Sequence, residues 1–297
     1  MDIGMTMPVM EPDLDRATLR SWAQLVDGGP FSSLCWGERI AFDNPESLTL
    51  LGALAAWTDR VRLVTTVVIP QLHDPVMLAK QLATGDMLCD GRLTVGVGVG
   101  GRHEDYRAVG ADPATQTMRE MAERVEVMKR VWAGEKVTES TLPVGPPPVQ
   151  PGGPVLHVGT LGPKTVRSAV GWADGLAGMT LDLDLGKQGE LFDVARQAWH
   201  DAGRTKPHLA TSFWFAIGDG EAPRAQVHRH LLRYMNWIPA EFVDAMAPTA
   251  GFAGTVDELR AVLAKFADLG ADEVHLIPTS SDIDQVRQVA EAIADFT

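Results

Sequence analysis

Short β-rich runs begin at Ile3, Ser33, Arg62 and Leu93, so successive starts lie 30, 29 and 31 residues apart. A step of that size holds one strand, one helix and the turns that join them. Helical patterns fill the gaps: Leu19, Trp22, Leu25 and Val26; then Leu48, Leu51, Leu54 and Ala55 after Asn44-Pro45; then 76–87 after Pro75. Strict alternation of strand and helix requires a parallel sheet covered by helices, either an open doubly wound sheet or a closed barrel.

The next helix carries Met118, Met121, Ala122, Val125, Met128 and Trp132 on one face, as for a helix laid against a barrel wall. Its methionines read as core, because thioethers fill irregular gaps. Over 133–154 the pattern stops, and Pro143, Pro146, Pro147, Pro148, Pro151 and Pro154 forbid helix. This is an excursion and not a linker, for alternation resumes with a strand at 155–158, a helix from Pro163, a short strand at 175–177, a helix at 190–199 and a strand at 209–217. Thr255-Val256-Asp257-Glu258 reads as a capping box, followed by Leu259, Val262, Leu263, Phe266 and a Gly270 stop. A strand at 273–277 and an amphipathic helix through Ile283, Val286, Val289 and Ile293 complete eight strands. The expected fold is an α/β (β/α)8 barrel, one domain over 1–297, with loop insertions at its C-terminal face.

Composition narrows the partners. Thirty-nine acidic against 26 basic side chains leave a formal charge of −13, which repels nucleic acid and anionic lipid. Cys35 and Cys89 have neither disulfide-framework nor zinc spacing, so a reduced cytoplasmic compartment fits. The first ten residues lack the basic flank of a targeting peptide, and no apolar run approaches the roughly 20 residues that span a bilayer. HExxH, GxSxG and Walker A patterns do not occur, and His228 and His230 point to different helix faces, so no metal is expected.

A barrel places function where its strands end. That selects Met7, Glu38 and Arg39, Thr65, Thr66, Val67 and Val68, the segment from Gly98 to Glu104, the turn Gly159-Thr160-Leu161-Gly162, and Trp214. Glu38-Arg39 alone would equally suit an exposed loop pair. Gly96-Val97-Gly98-Val99-Gly100-Gly101 contains GxGxxG, but it follows the fourth strand and 102–110 separates it from its helix, against a dinucleotide fingerprint. Gly96, Gly98 and Gly100 alternate onto one side, which either admits a flat ligand or eases close packing. The turn before Pro163, Lys164 and Thr165 offers backbone N–H groups and an amine to a phosphate, or is plain βα punctuation.

The stretch from Asn44 to Trp132 resembles the bacterial luciferase-like monooxygenase superfamily, which includes enzymes that use the deazaflavin F420. The carrying residues are Ser47-Leu48-Thr49-Leu50-Leu51, the run from Ala55 to Leu63, Asp74-Pro75 with Ala79-Lys80-Gln81-Leu82-Ala83-Thr84, Asp90-Gly91-Arg92-Leu93, the glycine strand, and Asp105-Tyr106. Pro154 to Gly162 and Ala173-Asp174-Gly175 look like the family's phosphate strand and the segment after it. The resemblance implies a barrel holding a flavin or deazaflavin at its C-terminal mouth, beside Met7 and Gly98. It places a non-prolyl cis peptide behind the ring between Thr66 and Val67, next to Thr65. It brings His103 and Glu104 to the ring's polar edge or side chain, and gives the phosphate to Gly159, Thr160, Leu161 and Gly162, with Lys164 alongside.

Two departures qualify it. Glu38-Arg39 stands where many relatives carry an acidic residue followed by histidine, and Gly101 where sugar-phosphate dehydrogenase relatives carry a glutamate. The expected activity is hydride transfer between F420 and a small organic substrate, with Glu38 and His103 handling protons and Arg39 pairing with an anionic group. Only 7 lysines against 19 arginines point to the GC-rich genomes where F420 enzymes abound. The alternatives are an FMN-dependent two-component monooxygenase using reduced flavin and O2, and a non-catalytic flavin-binding relative. A reductase supplying reduced cofactor and a homodimeric assembly are the expected partners. Residues 236–252, with Trp237, Phe242 and Met246, are the candidate substrate lid.

Overall fold

The computed structural model describes residues 1–294 and Phe296. Strands β1 (Asp2–Thr6), β2 (Ser33–Trp36), β3 (Arg62–Val68), β4 (Leu93–Val97), β5 (Val155–Thr160), β6 (Gly175–Gly178), β7 (His208–Ile217) and β9 (Glu273–Pro278) pair in parallel in that order. Asp2↔Glu273 pairing joins β9 back to β1, so the sheet closes into an eight-strand (β/α)8 barrel. A ninth strand, β8 (Phe252–Gly254), lies outside this circle and pairs with the far end of β7 at Phe215↔Phe252.

The helices follow from local chemistry. Asp15, Glu46, Asp74 and Thr117 cap α1 (Arg16–Gly28), α2 (Ser47–Trp57), α3 (Pro75–Leu88) and α5 (Met118–Trp132) by accepting first-turn N–H bonds. Met121, Val125 and Met128 of α5 are fully buried against the barrel. The capping box is present: Thr255 and Glu258 satisfy each other's backbone at the start of α10 (Val256–Asp268). The expected helix at 190–199 is longer, α7 (Leu185–Asp201), because Asp184 caps it upstream. The remaining helices are α4 (His103–Ala108), α6 (Pro163–Ala169), α8 (Ala222–Tyr234), α9 (Ala240–Met246) and α11 (Asp284–Ile293).

The 133–154 excursion lies at the N-terminal end of the barrel, opposite the mouth. Buried Asp86 pins it by accepting from Val149 N, Gln150 N and Gln150 Nε2, and Gln150 also donates to Leu93 O at the start of β4. Residues 236–252 project from the C-terminal end after α8 and contain α9. Among the described residues, no helix is long and apolar enough to cross a membrane.

Candidate active site

The mouth is organised by a bulge. β3 pairs with β4 through Thr65↔Val95 and resumes at Val68↔Val97, so Thr66 and Val67 together face the single residue Gly96. The Thr66–Val67 peptide is cis. The glycines opposite make room for this shape. A Cβ on Gly96 would lie 2.2 Å from Thr65 O, and one on Gly98 or Gly159 would lie 2.7 Å from a Val67 methyl. Close packing against the bulge therefore already requires glycine at these three positions.

Glu38 and Arg39 follow β2 and are both buried, so the exposed-pair reading does not hold. Glu38 Oε2 accepts from Ile69 N at 2.8 Å, and Oε1 lies 2.8 Å from His73 Nε2. The acid thus meets a histidine after all, one supplied by the β3–α3 loop instead of the next position in the chain. Arg39 NH1 donates to Tyr234 O at 3.2 Å, and its guanidinium lies over Phe42 at 4.2 Å. Burial, and then nearby Arg102, push the Arg39 pKa down to about 10, against the pull of Asp105.

The segment after β4 is helical where a plain loop was expected. α4 opens at His103, with no side chain capping it at Arg102. His103 and Glu104 point outward and are exposed, and Glu104 pairs with Arg107. Arg102 is the residue turned inward: 9% exposed, it lies 3.9 Å from the Trp237 ring centroid and 4.8 Å from that of Tyr234. Asp105 also faces in, accepting from Ile40 N and Ala41 N through Oδ1.

Around them, Trp214 of β7 packs edge-on to Tyr234, and His230 stacks on Tyr234 at 5.7 Å. His230 Nδ1 bonds Glu11 from the β1 loop, while His228 pairs separately with Asp244 at 2.7 Å, so the two histidines do point apart. Thr6 Oγ1, Arg39 Nε, Arg102 Nε, Asp105 Oδ2 and His230 Nε2 are all buried without a hydrogen-bond partner. Such groups are costly unless water or a polar ligand meets them. At the β5 end, Thr160 Oγ1 accepts from Gly162 N and donates to Gly162 O, folding the turn. No side chain caps α6 at Gly162, Leu161 is exposed, and Lys164 stands exposed beside the free first-turn N–H groups. Met7 is buried below the mouth, its N–H bonded to Cys35 O, and Thr65 Oγ1 donates to Gly96 O.

Arg102, His73, Tyr234 and the Glu11–His230 pair were not singled out from the sequence. Only the phase of α4, a weak signal, could have pointed to Arg102.

The sheet is a closed parallel barrel with a group of buried, unpartnered polar atoms on the loops at its C-terminal strand ends, the end where barrels of this kind build their sites. Comparison specifies it further: the chain belongs to the luciferase-like monooxygenase family, whose model matches residues 14–264. An uncharacterized protein of Mycobacterium tuberculosis is 36% identical over 166 residues, 52% of this chain. That alignment spans 56% of the relative's length. F420-dependent glucose-6-phosphate dehydrogenase of Microbacterium testaceum is 26% identical over 267 residues, 76% of this chain and 75% of that protein. The 4-hydroxyprotoasukamycin monooxygenase of Streptomyces nodosus is 38% identical over 114 residues, 38% of this chain and 29% of that protein. In fold, monooxygenase RslO1 of Streptomyces bottropensis superposes with a TM-score of 0.81 at 23% identity, covering 100% of this chain and 99% of its own. An F420-dependent secondary alcohol dehydrogenase gives 0.79 at 17%, with the same coverage.

Proposed function

We propose that this chain is an F420-dependent oxidoreductase that moves a hydride between the deazaflavin and a small organic substrate. The observation that carries this reading is the extent of its likeness to an F420-dependent dehydrogenase, 76% of the chain. The monooxygenase stretch covers 38%. The residues at the mouth suit such a group: buried polar atoms without partners beside the β3 bulge, and an uncapped turn with Lys164 where a phosphate would be held. When bound, the deazaflavin supplies the hydride chemistry.

The chain's own residues do the rest. Val67, seated over Gly98 and Gly159, forms a smooth wall behind the site. Glu38 Oε1 and His73 Nε2 hold a proton between them and replace His103 as the acid–base pair, since His103 faces solvent. Trp237, laid on Arg102, excludes water from the mouth.

Titrating the protein with F420 and with FMN, oxidised and reduced, tests the reading. Tight F420 binding with weak FMN binding is expected; the reverse overturns it. The local likeness to a named monooxygenase favours the FMN reading as second, and O2 consumption with reduced FMN would establish it.

A further inference from the structure

Arg39, Arg102 and Asp105 form an unbalanced group. Two guanidiniums, 5% and 9% exposed, share one carboxylate that is 1% exposed. That carboxylate has little to give: Oδ1 is spent on two backbone N–H groups, and Oδ2 stands 3.6 Å from Arg39 Nε and 3.8 Å from Arg102 NH1. Arg39 makes one hydrogen bond, to Tyr234 O. The Arg102 guanidinium makes none to any described residue.

Other charged groups nearby have partners of their own: Glu38 Oε1 lies 2.8 Å from His73 Nε2. Arg233, which also lies over Phe42, stands 3.8 Å from Asp43, and Glu11 is held by His230. Within the group itself two positive charges therefore face one negative, in a largely buried place and inside a protein whose total charge is −13. Arg102 Nε is buried without a hydrogen-bond partner, which is costly, and stacking on Trp237 and Tyr234 offsets only part of that cost. Its planar fork of N–H donors fits a planar anion. The surrounding surface of Phe42, Tyr234, Trp214 and Trp237 is flat and apolar.

Resting on the reading of this mouth as the substrate site, we infer that the Arg39–Arg102 pair selects substrates bearing a carboxylate on a small, flat organic body, Arg102 taking the carboxylate. The cofactor's own anionic groups are the other source of the same chemistry. They are assigned to the Gly162–Lys164 turn on β5, whereas Arg39 and Arg102 follow β2 and β4.

Calorimetry with benzoate against its neutral isostere benzamide tests this, on the protein alone and loaded with whichever cofactor it binds. Benzoate should bind at least tenfold more tightly. Arg102→Gln should abolish the preference, Arg102→Lys should keep part of it, and both should leave cofactor affinity within about twofold. Equal binding of the two probes overturns the inference. So does an Arg102→Gln protein that keeps the preference but loses cofactor affinity, which would give the pair to the cofactor. If wild type binds neither F420 nor FMN yet prefers benzoate, the cofactor reading falls and the anion site stands.

Discussion

Replacing Asp105 by Asn keeps an oxygen for the N–H groups of Ile40 and Ala41 but removes the single negative charge between Arg39 and Arg102. Breaking a buried charge group by removing one partner costs about 3–5 kcal/mol, because the remaining charge is left uncompensated. For a chain of 297 residues the unfolding entropy is about 0.6 kcal/mol per degree, so Asp105→Asn should lower Tm by roughly 5–8 °C. Arg102→Gln removes the surplus charge and should cost about 1 kcal/mol or less. In the double variant Arg102→Gln/Asp105→Asn only one guanidinium is left unmatched, so its loss should fall short of the summed single losses by about 1–3 kcal/mol. Urea unfolding followed by circular dichroism, with linear extrapolation, gives the four free energies. Additivity within about 0.5 kcal/mol would refute the shared-carboxylate account.

Three further outcomes are expected. Gly96→Ala, whose Cβ would meet the Thr65 carbonyl at 2.2 Å, should lower the urea midpoint far more than Gly98→Ala, whose nearest obstacle is a Val67 methyl; equal effects would mean that the bulge yields freely. Glu38→Gln should reduce kcat about 100-fold or more while leaving cofactor Kd unchanged, as steady-state kinetics and cofactor titration of the variant would show. Burial holds His157 neutral, its pKa pushed down to about 3, and lowers that of His208. The unfolded chain therefore takes up protons below about pH 6.5 that the folded one refuses, and stability should fall by about 1.4 kcal/mol per unit for His157 alone. Burial works against the charge on both Glu273 and His275, but their contact with each other outweighs it, holding Glu273 well below 4.5 and raising His275 to about 10, so neither changes its contribution between pH 6.5 and 4.5. Tm against pH for wild type and His157→Gln reads the slope, which the variant should reduce.

What the sequence determined by itself is whatever a few neighbouring residues decide. The 30-residue step follows from the length of one strand, one helix and their turns, while the Thr255–Glu258 capping box and the Met121–Val125–Met128 face depend on contacts three or four positions apart; each is present as read. The strand ends named as the mouth are the strand ends observed, because a parallel barrel permits no other direction. β8 escaped notice because three residues paired to the end of β7 carry no pattern of their own. Side-chain direction was likewise out of reach. One step along a helix turns a side chain by about 100°, so a motif can locate the segment after β4 without saying that Arg102 faces in and His103 out. The partners at the mouth lie far apart in the chain: Glu38 with His73, Arg39 with Tyr234, Glu11 with His230. Those pairings exist only because barrel closure brings the loops of β1, β2, β3, β4 and β7 to one rim, where burial strips water from the charges and leaves them only one another.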